Sequence, residues 1–108
     1  MKVRILDEAQ EKFDSISNYI LTHNGERSKA KFVSEVLDNI DRLETNPYMG
    51  KIEPNLVEKA STYRSVVINP LNKVVYRILK EDILEIVAIW DVRRSPENLA
   101  KSIEENNQ

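Results

Sequence analysis

Three apolar runs mark the second half of the chain: Tyr63–Ile68, Lys73–Leu79 and Ile83–Val92. They are rich in β-branched and aromatic residues, so they predict strands. Asn69-Pro70-Leu71-Asn72 reads as a turn, because proline fixes φ and asparagine tolerates unusual backbone angles. Lys80-Glu81-Asp82 is a second short polar break. Breaks this short join antiparallel neighbours, so the three strands form a meander.

Alternation along each strand assigns faces. Glu85, Val87, Ile89, Asp91 and Arg93 fall opposite Leu84, Ile86, Ala88, Trp90 and Val92. A core face should not carry Glu85 or Asp91, so the set from Leu84 to Val92 is the expected core. Val74, Tyr76 and Ile78 join it, as do Tyr63, Ser65 and Val67. The other face then collects Arg64, Arg77, Asp91 and Arg93. Arginines among small apolar residues suit a phosphate backbone or an acidic partner. The plainer reading is an outer face whose arginines meet water and local carboxylates.

The first half has helical period. Lys2–Leu6 alternates and predicts a short strand with Val3 and Ile5 inward. Asp7 is placed to cap a helix, with Gln10 completing a capping box. Leu6, Ala9, Phe13, Ile16 and Ile20 then form one stripe, and Gly25 after Asn24 stops it. His23 sits in the last turn, where a helix dipole favours a protonated ring. Ala30, Val33, Val36 or Leu37, Ile40 and Leu43 mark a second helix over about Glu26–Glu44, with Phe32 widening its apolar side.

A break this tight makes the two helices an antiparallel hairpin. Each large apolar side chain gains ~1.5–3 kcal/mol on burial, so both stripes must be covered, and the strand region is the available cover. Asn46-Pro47-Tyr48-Met49-Gly50 ends the second helix, since Pro47 disfavours helical backbone before it. Lys51–Thr62 is a polar connector docked by Leu56 and Val57. Ser95-Pro96-Glu97 opens a short helix reaching about Ile103. The expectation is one α+β domain over residues 1–108. It has an N-terminal strand, a helical hairpin on one face of a mainly antiparallel sheet, a closing meander and a short C-terminal helix.

Composition narrows function mostly by exclusion. The chain has 108 residues, no cysteine and one histidine, with a net charge of −2. No disulfide framework or thiolate chemistry is possible, and bulk charge does not argue for nucleic acid. Only residues 63–95 carry a basic excess, six against four. No signal-peptide pattern opens the chain, and no apolar run approaches the roughly 20 residues of a membrane helix. Glu8, Glu11 and Asp14, or Asp38 and Asp41, repeat at three as solvated helix faces do, with no histidine beside them. Neither a metal nor a cofactor is expected. With His23 alone, no Ser–His–Asp set exists.

The order and spacing of several segments resemble the RelE/ParE superfamily, the toxins of type II toxin–antitoxin pairs. The segments are Asn46–Gly50, Tyr63-Arg64, Val75-Tyr76-Arg77-Ile78 and Trp90-Asp91-Val92-Arg93-Arg94-Ser95-Pro96, and the likeness spans about residues 2–99. It implies a cytoplasmic growth inhibitor, of the kind linked to plasmid stabilisation, neutralised by a cognate antitoxin seated on the helical hairpin and sheet edge. It also implies a split in mechanism. RelE-like members act as mRNA endonucleases on the ribosome, and here Arg64, Arg77 and Arg93 would clamp phosphate while Tyr76 or His23 moved protons. ParE-like members bind DNA gyrase and need no such set. Arg64, Arg77, Trp90, Asp91, Arg93 and Arg94 are the binding candidates in either case. Tyr76 falls on the expected core face, His23 lies on the hairpin, and an acidic chain is a poor visitor to a ribosome. The residues therefore favour the ParE-like, gyrase-binding reading over the nuclease. A non-toxic, protein-binding member is the third possibility.

Overall fold

A computed structural model describes residues 1–56, 61–80, 82–92 and 103. Strand β1 (Lys2–Ile5) leads into helices α1 (Asp7–Asn24) and α2 (Glu26–Thr45). Strand β2 (Lys51–Ile52) and a one-turn 3-10 helix (Pro54–Leu56) follow, then β3 (Tyr63–Asn69), β4 (Asn72–Leu79) and β5 (Ile83–Asp91). The five strands form one sheet in the order β1-β5-β4-β3-β2. The meander is antiparallel, and β1 runs parallel to its neighbour β5, as a strand–helix–helix crossover allows. The short C-terminal helix expected after Ser95 lies, apart from Ile103, outside the described residues.

The helical hairpin forms as its period predicts, with local differences. Gly25 alone separates the helices, and its φ of +90° is a conformation that side-chain-bearing residues rarely adopt. Asp7 is the first helical residue rather than the cap. Leu6 holds the cap position in extended backbone with no side-chain cap bond. Gln10 donates to Asp14 at 3.1 Å instead of closing a capping box. Asp7 and Glu8 act on the helix through its dipole instead. On α2 the buried residues are Phe32, Val36 and Leu43, while Ala30 and Leu37 face out. Phe32 turns inward because its ring stacks on Phe13, centroids 5.7 Å apart.

Both faces of the sheet carry apolar residues, and register decides which. Arg64, Tyr76 and Ile86 lie across from one another on the helix side, with Val66, Val74 and Ile89 in the next layer. Ala9, Leu43, Leu84 and Phe13 pack against them. Tyr63, Arg77, Glu85 and Arg4 line up on the opposite side across four strands. There Val75, Val87, Ala88 and Trp90 form a second cluster with Leu56 and Ile103.

Four expectations fail for physical reasons. Val75 pairs with Ala88 and Tyr76 with Ile86, so Val87 is an extra residue in β5. A bulge of one residue reverses alternation beyond it. Ala88 and Trp90 therefore sit on the face away from the helices, and Ile89 and Asp91 on the helix side. An irregularity at Ile68 likewise shifts the phase of β3 against β4. It places Arg64 on the helix side and Tyr63 with Arg77, so Arg64 and Arg77 are on opposite faces of the sheet. Val67 and Val92, expected in the core, are exposed, as is Ile5 at the sheet edge. Glu85, excluded from any core by its charge, is 1% exposed.

The loop after α2 is tied down by Tyr76. Its hydroxyl donates to the Pro47 carbonyl at 2.7 Å and accepts from the Gly50 amide at 3.0 Å. Burial pushes this phenol above its ordinary pKa, against the lowering pull of the Gly50 amide and the Arg64 charge. Gly50 is glycine for space: a Cβ there would lie 2.5 Å from the Tyr76 hydroxyl and 2.9 Å from the Ser65 carbonyl. Tyr76→Phe leaves both loop groups without their partner and should cost about 1–3 kcal/mol in urea unfolding. Gly50→Ala should cost at least as much, because the clash is partly with fixed backbone; an unchanged midpoint in both variants would contradict this tie.

Candidate functional site

The face away from the helices holds the chain's polar machinery, and it is built by register. Arg4 of β1, Glu85 of β5, Arg77 of β4 and Tyr63 of β3 occupy successive positions across the sheet. Glu85 Oε2 accepts from Arg4 Nε at 2.9 Å and from Arg4 Nη2. Its other oxygen accepts from Arg77 Nε at 2.9 Å and meets Arg77 Nη2 at 2.7 Å. Arg77 also donates to Ser61 Oγ at 3.2 Å and lies 5.8 Å from the centre of the Tyr63 ring. Burial alone would raise the Glu85 carboxyl. The bonds and charges of Arg4 and Arg77 outweigh it and hold the group below the ordinary glutamate range.

A second buried carboxylate lies nearer β2. Glu53 is 3% exposed and accepts from Ser65 Oγ and Lys73 Nζ, each at 2.9 Å. Sequence reasoning missed Glu53 because it sits in a polar connector with no periodicity. The expectation of a β2 strand was missed for the same reason, since two residues carry no alternation. The tether is Glu53 N, which donates to the Tyr63 carbonyl at 2.8 Å and docks the connector on β3.

The sequence candidates are therefore dispersed. Arg77 is ion-paired on the far face. Arg64, on the helix side, donates to the Gly50 carbonyl at 2.9 Å, and its guanidinium lies 5.2 Å from the Tyr48 ring centre. Tyr76 is fully buried with its hydroxyl engaged twice. Trp90 is buried opposite Lys73, and Asp91 opposite Asn72. His23 stacks on Tyr19 at 4.0 Å on the outer end of α1, and its Nδ1 lies 2.9 Å from the Tyr19 carbonyl. Arg93 and Arg94 lie outside the described residues. Among the described residues no group of three or more His, Cys, Asp or Glu is placed to hold a metal. No helix among them is long and apolar enough to cross a membrane.

The model of the ParE toxin of type II toxin–antitoxin systems matches residues 3–96. The chain belongs to this ParE toxin family, a membership that implies a cognate antitoxin. Solved structures agree in fold. One described as the chromosomal ParDE system from P. aeruginosa superposes with a TM-score of 0.67 at 18% identity, covering 85% of this chain and 96% of that one. A YoeB/ParE toxin from Agrobacterium tumefaciens gives 0.59 at 22% identity, with 84% and 98% covered. A YoeB dimer from Staphylococcus aureus gives 0.54 at 18%, with 82% and 92% covered. No curated protein sequence matches the chain significantly.

Removing the shared carboxylate should expose its role. In Glu85→Gln the largely buried Arg77 loses its counter-charge while the more exposed Arg4 is screened by water, at a cost of about 1–2 kcal/mol near neutral pH. The folded pKa lies below the unfolded one, so the stabilisation is present above the ordinary glutamate value. It is lost as pH falls through the lowered value. Urea midpoints of wild type and variant should therefore converge below about pH 4. A gap that stays constant with pH would contradict the linkage.

Proposed function

We propose that this chain is a ParE-type toxin that arrests growth in the cytoplasm by binding DNA gyrase and is silenced by a cognate antitoxin. One observation carries the choice against strand cleavage. Two of the side chains that cleavage would draw on are already engaged within the fold: Arg77 by Glu85, and Tyr76 by the Pro47–Gly50 loop. Cleavage through a 2′-hydroxyl needs a proton acceptor and a free cation at one phosphate. Binding a protein target needs neither. The YoeB-like structures share the fold at identities that carry no argument about chemistry.

The antitoxin's seat is the notch between the hairpin and β1. Ile5, Phe13, Leu37 and Ile40 line an apolar groove of about 190 Å³ there, and Ile5 and Leu37 are 39% and 52% exposed. Beside it the outer edge of β1 has no strand partner among the described residues. An amphipathic helix would fill the groove and an extended segment would extend the sheet.

Expression without the antitoxin should stop growth, and co-expression should restore it. Arrested cells should show a DNA-damage response, and the purified chain should inhibit supercoiling by gyrase. Codon-positioned, ribosome-dependent mRNA breaks would overturn the gyrase reading, and unimpeded growth would overturn toxicity altogether. Leu37→Glu should fold normally and weaken antitoxin binding by about tenfold or more, because a charge would enter an apolar contact. Undiminished binding would move the seat elsewhere.

A further inference from the structure

The loop that closes α2 is held more firmly than a surface turn requires. Three of its backbone groups are bonded to side chains of the sheet. The Pro47 carbonyl and the Gly50 amide meet the Tyr76 hydroxyl at 2.7 and 3.0 Å, and the Gly50 carbonyl accepts from Arg64 Nη1 at 2.9 Å. Two more bonds run within the turn, from Asn46 N to the Arg42 carbonyl at 2.8 Å and from Met49 N to the Asn46 carbonyl at 3.1 Å. Met49 packs inward against the helix-side core, and Pro47 has its φ fixed by its ring.

What this fixed loop presents to solvent is Tyr48. The residue is 65% exposed, and the Arg64 guanidinium lies 5.2 Å from its ring centre. An arginine against an aromatic face attracts it, so the ring is held in one pose instead of sampling its rotamers. Ile52, 50% exposed, is the cross-strand neighbour of Arg64 and stands on the same side of the sheet. Lys80, exposed after β4, lines one recess with Tyr48 and Arg64. No carboxylate lines that recess among the described residues. The result is an aromatic and an aliphatic side chain flanking a cation, all on a rigid base.

Tyrosine and arginine are among the residues on which binding energy between proteins concentrates. An anchor already held in its bound pose loses little entropy on association. We propose that Tyr48, Ile52 and Arg64 form the surface that engages DNA gyrase, an inference that rests on the gyrase reading above. The tyrosine enters an apolar pocket on the enzyme, Ile52 packs at the mouth of that pocket, and Arg64 and Lys80 meet carboxylates on its rim. Ile52 is what turns the surface towards protein, since an aliphatic side chain beside the ring gives a phosphate backbone nothing to bond. Tyr76 and Gly50 are positioning residues that act through the loop. The groove assigned to the antitoxin shares no lining residue with this surface.

Binding of the full chain to purified gyrase without DNA, with inhibition of supercoiling measured in parallel, tests this surface. Tyr48→Ala should weaken binding, and raise the concentration for half-inhibition, by about tenfold or more. Tyr48→Phe keeps the ring and its contact with Arg64, so it should stay within about twofold of wild type. Ile52→Glu sets an acid against an acidic rim and should weaken binding about as much as Tyr48→Ala. Tyr48 and Ile52 are both exposed, so these variants should melt close to the wild-type temperature, and either one suffices if the other does not fold. Wild-type affinity in the folded variants would overturn the surface and leave the gyrase reading standing. Failure of the unaltered chain to bind gyrase would overturn that reading and this partner with it. Binding to DNA or RNA alone, and not to the enzyme, would overturn both in favour of a nucleic-acid surface.

Discussion

The carboxylate of Glu85 is the interaction on which the far side of the molecule depends. β5 is an inner strand of the sheet, between β1 and β4, and is buried from Leu84 to Trp90. A charge there is tolerable only when both oxygens are satisfied. Arg4 and Arg77 do so from the two neighbouring strands, so one side chain ties the parallel edge strand to the meander. β1 has only four residues and parallel pairing, so a cross-strand tie counts for more there than along the long antiparallel pairs. The same pairing removes Arg77 from the set of cations free to meet a ligand.

Much of the fold is legible in the sequence because it rests on long periodic stretches. Phe13, Ile16, Val36 and Leu43 recur at helical spacing over many turns, and the three apolar runs of the meander are bounded by clear turn residues. Parity also grouped Arg77 correctly with Glu85. What it could not carry was the phase across a defect. Val87 adds one residue to β5, and nothing in Ile83–Val92 marks where the extra residue lies. From that point Ala88 and Trp90 exchange sides with Ile89. A similar irregularity at Ile68 separates Arg64 from Arg77. The candidate site depended on such single-residue phases, so it was far less legible than the elements bearing it.

Burial of charge misled in a second way. Glu85 was kept off the core face because an isolated carboxylate is costly to bury, and Glu53 drew no reading at all. Neither is isolated, and the partners that make burial tolerable come from distant segments: Arg4 is 81 residues from Glu85 in sequence, and Lys73 is 20 from Glu53. Local pattern has no access to such pairings. The result is a sheet with two covered faces, one packed by helices and the other closed by Leu56, Ile103 and ion pairs. Family membership gives the molecule its class. Engagement of Arg77 and Tyr76 is the observation on which the proposal of a target-binding mechanism rests.

The exchange rate of the Arg77 side-chain Nε proton measures that engagement most directly. In ¹⁵N-edited spectra at neutral pH, with the resonance assigned through Arg77→Lys, it should be resolved and exchange far more slowly than those of the exposed Arg27 and Arg42. Exchange as fast as theirs would mean that the Glu85 pair is open in solution, and that the far face is the free arginine surface this account denies.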